Sequence, residues 1–138
     1  MIMQQQVSNA FAITKIPDSN KLIFHIKIVN YEDEQFQDFT CRYKNILQYS
    51  TAKVYFIFDT LDLTNISALQ SLKLSLFLQN MKPLHEKKLE KFTIILVNSY
   101  IKKILDMVFS IVPPVRPYKI TSNIEEATNF MYTSSTLI

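Results

Sequence analysis

The stretch Lys53–Met81, KVYFIFDTLDLTNISALQSLKLSLFLQNM, limits the possible folds of this chain more than any other. Its first part, Val54-Tyr55-Phe56-Ile57-Phe58, is an unbroken run of β-branched and aromatic residues ended by Asp59. A strand buried on both faces of a sheet needs such a run, whereas a strand with one wet face alternates. The polar bend that follows offers Thr64, Asn65 and Ser67 as helix caps, and a long Leu-rich segment comes after it. Strand, turn and helix in this order form the start of a β-α-β unit, and open α/β sheets carry their sites at such strand ends.

Phe92–Val97 (FTIILV) is a second run of the same kind. These two strands are expected to lie adjacent, parallel and central, because edge strands are seldom apolar on both faces. Upstream, Phe11–Ile16 and Lys21–Val29 read as strands joined by the turn residues Pro17-Asp18-Ser19-Asn20. The second alternates, with Leu22, Phe24, Ile26 and Ile28 on one face and Ile23, His25, Lys27 and Val29 on the other. This suits a sheet well covered on one side and partly covered on the other. Asn30 is placed to cap a helix with acids in its first turn and Phe36, Phe39, Tyr43, Ile46 and Leu47 on one stripe, ending near Ser50.

After the Leu-rich helix, Pro83 and the run His85–Lys91 read as a surface loop or frayed helix end. Asn98-Ser99 opens a helix with Ile101, Ile104, Leu105, Val108, Ile111 and Val112 on one face, stopped by Pro113-Pro114. A short strand follows over Val115–Thr121, which Pro117 confines to an edge or to a strand start. Ser122-Asn123-Ile124-Glu125 reads as a capping box for a last helix reaching about Tyr132. The expected fold is a single α/β domain over 1–138, ordered about 8–132 with tails 1–7 and 133–138. Its element order is β-β-α-β-α-β-α-β-α, a mixed sheet with parallel C-terminal strands.

Composition removes several function classes. Glycine is absent, which excludes every Gly-dependent phosphate loop. A net charge of +3, with only Arg42 and Arg116 as arginines among 15 basic residues, argues against nucleic acid as a partner. The lone Cys41 permits no intrachain disulfide and fits a reducing compartment. Met1–Gln6 has neither the basic start nor the apolar core of a signal peptide, and no apolar run approaches membrane-spanning length. A soluble, cytoplasmic protein is the expectation.

Several local patterns look like one family. Asp59 at a strand end, then Leu63-Thr64, Ile66 and a long helix, resembles the strand, Asp and regulatory helix of STAS domains, found in anti-sigma-factor antagonists and sulfate transporters. Phe92–Asn98 followed by Ile101-Lys102-Lys103-Ile104-Leu105 resembles that family's fourth strand and next helix, and Tyr118–Ala127 resembles its closing segment. The resemblance implies a non-enzymatic regulatory or assembly module that meets protein partners through the helix after the third strand. It departs at the family's phosphorylation site. Counted without gaps from Asp59, the conserved-type Asp falls on Ser67, the acceptor Ser on Ala68 and the Gly on Gln70; a shift of one residue would make Ser67 the acceptor. The segment from Ile95-Leu96-Val97-Asn98-Ser99 to Val112-Pro113-Pro114 also looks like CRAL-TRIO lipid-binding domains, which are longer and carry extra gating helices. That resemblance implies an apolar ligand held between the Leu-rich helix and the sheet.

No other grouping points to chemistry. His25, His85 and Cys41 are far apart in the chain, and no metal-ligand spacing or cofactor motif exists. Asp59 and Asp62 read as turn-forming carboxylates, and Lys87, Lys88, Lys91, Lys102 and Lys103 as a solvated face. The Leu-rich helix is the exception. Ile66, Leu69, Leu72 and Leu76 form one stripe, and Leu74, Phe77, Leu78 and Met81 a second, with Ser71, Ser75, Gln79 and Lys82 as the polar edge. This arc is wider than one-sided packing requires. Ser67, Leu74, Phe77, Leu78 and Met81 are therefore the expected partner-binding residues, the partner being another protein or a second copy of the chain.

Overall fold

The computed structural model describes residues 10–17 and 20–133. The strands are β1 (Phe11–Ile16), β2 (Leu22–Ile28), β3 (Val54–Asp59), β4 (Leu89–Ile95) and β5 (Tyr118–Thr121). The helices are α1 (Asp33–Tyr49), α2 (Ala68–Lys88), α3 (Ser99–Ile111) and α4 (Ile124–Tyr132). The strands form one five-stranded sheet in chain order, β1-β2-β3-β4-β5. β1 and β2 are antiparallel, with Phe11 opposite Ile28 and Ile16 opposite Ile23; β2 to β5 are parallel. The expected single α/β domain and element order are thus borne out, and so is the adjacency of the two doubly apolar strands.

Chain-order strands and right-handed crossovers send α1, α2 and α3 to one face of the sheet. That front layer buries Phe36, Phe39, Tyr43 and Leu47 of α1 against Phe56, Phe92 and Ile94 of the sheet. The final helix, α4, lies on the other face, where Ala127 and Met131 close over Ile23, Ile57 and Ile95. The contacts of α4 run mainly to β3, β4 and β5, and it meets β2 at Ile23, so the back of the sheet is covered more thinly toward β1. This is the unequal cover that the alternation in β2 implied.

Several boundaries differ from expectation. Asn30 is not the cap of α1: Glu32 occupies that position without a side-chain cap bond, and Gln35 donates to its carboxylate at 2.7 Å. Pro83 does not end α2. The helix continues through it to Lys88 and passes directly into β4 at Leu89. Pro83 and Gln79, whose carbonyl it cannot bond, lie on the exposed face, open to solvent, while Met81 and His85 hold the last turns in the core. β4 accordingly starts earlier than Phe92, and Val97 lies beyond it, 65% exposed. The last cap is displaced by one residue. Asn123 caps α4 by accepting from Glu126 N at 2.8 Å, and the Glu126 carboxylate accepts from Ser122 N and Oγ, which lowers its pKa. Thr133 closes α4 rather than starting a loose tail, while 1–7 and 134–138 lie outside the described residues.

Candidate functional site

β3 and α2 meet where the sequence places them, but α2 presents its faces the other way round. Ser71 and Ser75, the supposed polar edge, are 1% and 2% exposed, while Leu69, Leu72 and Leu76 are more than half exposed. The serines tolerate burial because each hydroxyl donates to the carbonyl four residues back, Ser71 Oγ to Ser67 O at 2.9 Å and Ser75 Oγ to Ser71 O at 3.0 Å. Small side chains there also let α2 sit close to its neighbours. The second leucine stripe points inward. Met81 is buried, Leu74 and Phe77 are half-buried against the protein's own core, and Leu78 is half-buried. Of the expected partner-binding residues, Met81 thus lies inside the core, and Leu74, Phe77 and Leu78 keep only part of their surface exposed.

Leu74, Phe77 and Leu78 line a cavity of about 170 Å³ between the front helices and the sheet. Its floor is made by Phe92 and Ile94 of β4 and by Leu96 just beyond that strand, with Phe58 beside them. Leu74, Leu78 and Phe77 of α2 and Ile104, Leu105 and Phe109 of α3 form its roof. Rings brace the walls: Tyr43 stacks on Phe56 at 4.7 Å, Phe77 meets Tyr43 edge-on at 5.4 Å, and Phe92 stacks on Tyr118 at 5.4 Å. The few polar groups along the cavity are Tyr31, Tyr43, Thr60, Lys82, His85 and Arg116.

His85 was expected in a charged loop and is instead buried beneath α2, bonded through Nε2 to the Tyr43 hydroxyl at 2.6 Å. Burial lowers its pKa to about 4, so the imidazole is neutral near pH 7 and shares one hydrogen bond with the phenol, whose direction the His85 tautomer sets; burial pushes the Tyr43 phenol up. Tyr31 has a buried hydroxyl with no hydrogen-bond partner among the described residues, and burial, with the Asp33 charge adding to it, raises its pKa to about 12. A hydroxyl left unbonded in a core is costly, so this atom is a place for a water or a ligand's polar group.

Ser67 caps α2 in a reciprocal box: Gln70 N donates to Ser67 Oγ at 3.1 Å and Ser67 N donates to Gln70 Oε1 at 2.8 Å. It is exposed at the carboxyl end of the sheet, next to Ala68. The structure does not bring Ser67 to the cavity residues Leu74, Phe77 and Leu78; it stands at the start of the helix whose interior they occupy.

On the back of the sheet, His25 Nε2 lies 2.9 Å from Asp59 Oδ2, and Asp59 Oδ1 accepts from Leu61 N at 3.1 Å. Lys27 pairs with Asp62 at 3.1 Å, and this hydrogen bond, with the charges of Asp62 and Asp59, raises the Lys27 pKa. Both acids therefore have structural duties, Asp59 in the turn it was expected to form. No nucleophilic side chain is hydrogen-bonded to His25 among the described residues, which leaves the His–Asp pair without the third member a covalent mechanism needs. No group of three potential metal ligands occurs among them either. Lys91 leaves the expected solvated face: it is 2% exposed, its ammonium donates to Thr133 O at 2.7 Å, and burial together with repulsion from Lys21 lowers its pKa. Cys41 is exposed on α1.

Sequence reasoning anticipated a cavity between the Leu-rich helix and the sheet as its second reading, and missed His85, Arg116 and Tyr31 as its lining. A signal for His85 was present in the spacing of Leu74, Leu78, Met81 and His85, which continues the inward stripe across Pro83.

No family model matches the sequence, and no curated protein matches it. Among solved structures, the chain is similar to an uncharacterized protein of the DUF3478 family with a SpoIIAA-like fold from Shewanella loihica PV-4. The two share 17% identity and superpose with a TM-score of 0.63 over 88% of this chain and 93% of that one. The likeness establishes the fold alone: the chain has a SpoIIAA-like fold. Among the described residues no helix is long and apolar enough to cross a membrane.

Proposed function

We propose that this STAS-like domain is a non-enzymatic binding module that takes an apolar small molecule into the cavity between α2, α3 and the sheet. The observation that carries the reading is the cavity itself, about 170 Å³ and walled almost wholly by aliphatic and aromatic side chains. An apolar void of about 150 Å³ in a protein core stays dry and takes up a benzene-sized molecule. Filling this one would restore the dispersion contacts its lining lacks. A non-enzymatic role is supported by the unaccompanied His25–Asp59 pair and by the neutral, buried His85. A cytoplasmic location, supported by the single Cys41, completes the proposal.

The test is native mass spectrometry of protein purified without detergent. A fraction carrying extra mass that is released by organic extraction is the expected result. Uniformly empty protein that also fails to take up added apolar probes would overturn the reading.

A second reading is supported by the outer edge of α2. Leu69, Leu72 and Leu76 are 61%, 51% and 57% exposed at helical spacing, the kind of surface a protein partner or a second copy would cover. In this reading Ser67 sits at the head of the contact helix, where phosphorylation would add charge beside the leucine edge.

A further inference from the structure

The cavity is apolar along its length but one-sided in charge. Lys82 and Arg116 are the charged residues along it, and no aspartate or glutamate is among its lining residues. Neither cation has a carboxylate partner among the described residues. Arg116, half-buried in the link between α3 and β5, is anchored through Nε and Nη2, which donate to the Glu90 carbonyl at 3.3 and 3.2 Å. A guanidinium has further donors beyond those two. Glu90 lies at the amino end of β4, and Lys82 lies two turns before that strand on α2, so both cations stand at the same end of the sheet. Lys82 and Pro113 are the exposed lining residues and mark the opening there. At the opposite end Leu63 and Ile66 are buried, and the polar groups present are the uncharged Tyr31 and Thr60 hydroxyls, the latter donating to the Ile95 carbonyl.

The shape narrows the ligand further. α2 lines the cavity from Leu74 to His85, eleven helical rises of ~1.5 Å or about 16 Å. Its volume, about 170 Å³, leaves room for one unbranched chain and no second. The cavity suits such a chain rather than a fused ring system or a pair of acyl chains.

On the premise that the cavity is the binding site, we infer that its ligand is a single-chain carboxylate. The alkyl chain lies along the cavity, and the carboxylate sits at the mouth between the Lys82 ammonium and the Arg116 guanidinium. Charge complementarity selects the head group: an arginine fork matches a carboxylate's two oxygens, and a second cation beside it excludes cationic and disfavours neutral heads.

The experiment is calorimetric titration of delipidated full-length protein with decanoate and with decanol, which has the same chain without the charge. Decanoate is expected to bind about tenfold or more tightly than decanol. Lys82→Gln combined with Arg116→Gln is expected to abolish that preference while leaving decanol affinity unchanged. Should Arg116→Gln fail to fold, as a melting curve would show, Lys82→Gln alone carries the test, because its side chain is exposed. A wild type that binds decanol as tightly as decanoate, or variants that weaken both equally, overturns the carboxylate inference while the cavity reading stands. Binding of neither compound overturns both.

Discussion

The two faces of the sheet solve the same packing problem to different standards. On the back, Ile23, Ile57, Ile95, Ala127 and Met131 are all at 0% exposure beneath one short helix. On the front, three helices and a dense set of rings enclose an unfilled cavity of about 170 Å³. The difference lies in the shapes of the side chains. Ile, Ala and an adaptable Met settle into whatever space remains. Rings such as Tyr43, Phe56 and Phe92 are rigid plates that brace one another, and a brace keeps walls apart. Close packing of the kind seen on the back is the norm for protein interiors. The exception on the front is therefore where binding is sought, and the back is where stability is sought.

The largest expected effect follows from this contrast. Ile95→Ala on the back should cost about 2–5 kcal/mol, because nothing around Ile95 can move in to fill the hole. Leu105→Ala on the front, half-buried beside a space that already exists, should cost about 1 kcal/mol. Urea unfolding of the two variants measures both. Equal losses would mean that the front is as tightly closed as the back and that the comparison fails.

A second expectation concerns pH and again belongs to the front. His85 has a folded pKa lowered to about 4 from 6.5 by burial, so the unfolded chain takes up its proton first as pH falls. Stability is full above about pH 6.5 and is lost progressively down to about pH 4, by about 3 kcal/mol in all. His85→Gln removes the titrating group and should flatten this part of the curve of stability against pH. A wild-type curve that is already flat between pH 7 and 5 would show that His85 is free to swell out with its helix when charged.

The contrast also separates what the sequence displayed from what it concealed. The unbroken runs at Val54–Phe58 and Phe92–Val97 gave away the central parallel strands, because few structures other than a covered sheet can bury both sides of such a run. The helical stripe Phe36, Phe39, Tyr43 and Leu47 likewise marked the inner face of α1. α2 misled for a physical reason. Its inner face includes Ser71 and Ser75, whose hydroxyls hide by bonding their own backbone, and its outer face carries Leu69, Leu72 and Leu76. A hydropathy pattern read alone turns such a helix by about half a turn. Pro83 concealed the helix's length in the same way, since its cost depends on whether the freed carbonyl faces water. Lys91 and His85, polar letters in a charged run, are buried because Thr133 and Tyr43 meet them across the fold. Partners so distant in sequence leave no local trace of the bond itself, although the inward stripe Leu74, Leu78 and Met81 did mark the face on which His85 falls.

A smaller expectation sharpens the difference between the interior of α2 and its head. Ser67→Ala removes one half of the reciprocal cap with Gln70 and should cost about 1 kcal/mol, while affinity for a ligand in the cavity stays unchanged. If Ser67→Asp changed binding to a protein partner while Ser67→Ala did not, a charge at this position would act as a switch. The phosphoacceptor would then lie one residue before the position that gap-free counting from Asp59 selects.

The smallest effect on stability belongs to the outer edge of α2, and there the readout is assembly. Leu72 is 51% exposed and borders no cavity, so Leu72→Glu should shift stability by no more than about 0.5 kcal/mol. Its neighbours along the edge, Leu69 and Leu76, are exposed in the same way, and three leucines together give a contact patch where one would give none. If the edge is a meeting surface for a second copy, sedimentation of the wild type should reveal a dimer that Leu72→Glu converts to monomer, with helix content unchanged. A wild type that sediments as a monomer at every concentration would rule out self-association through this edge. The cavity beneath the helix would then be left as the binding surface supported by the fold.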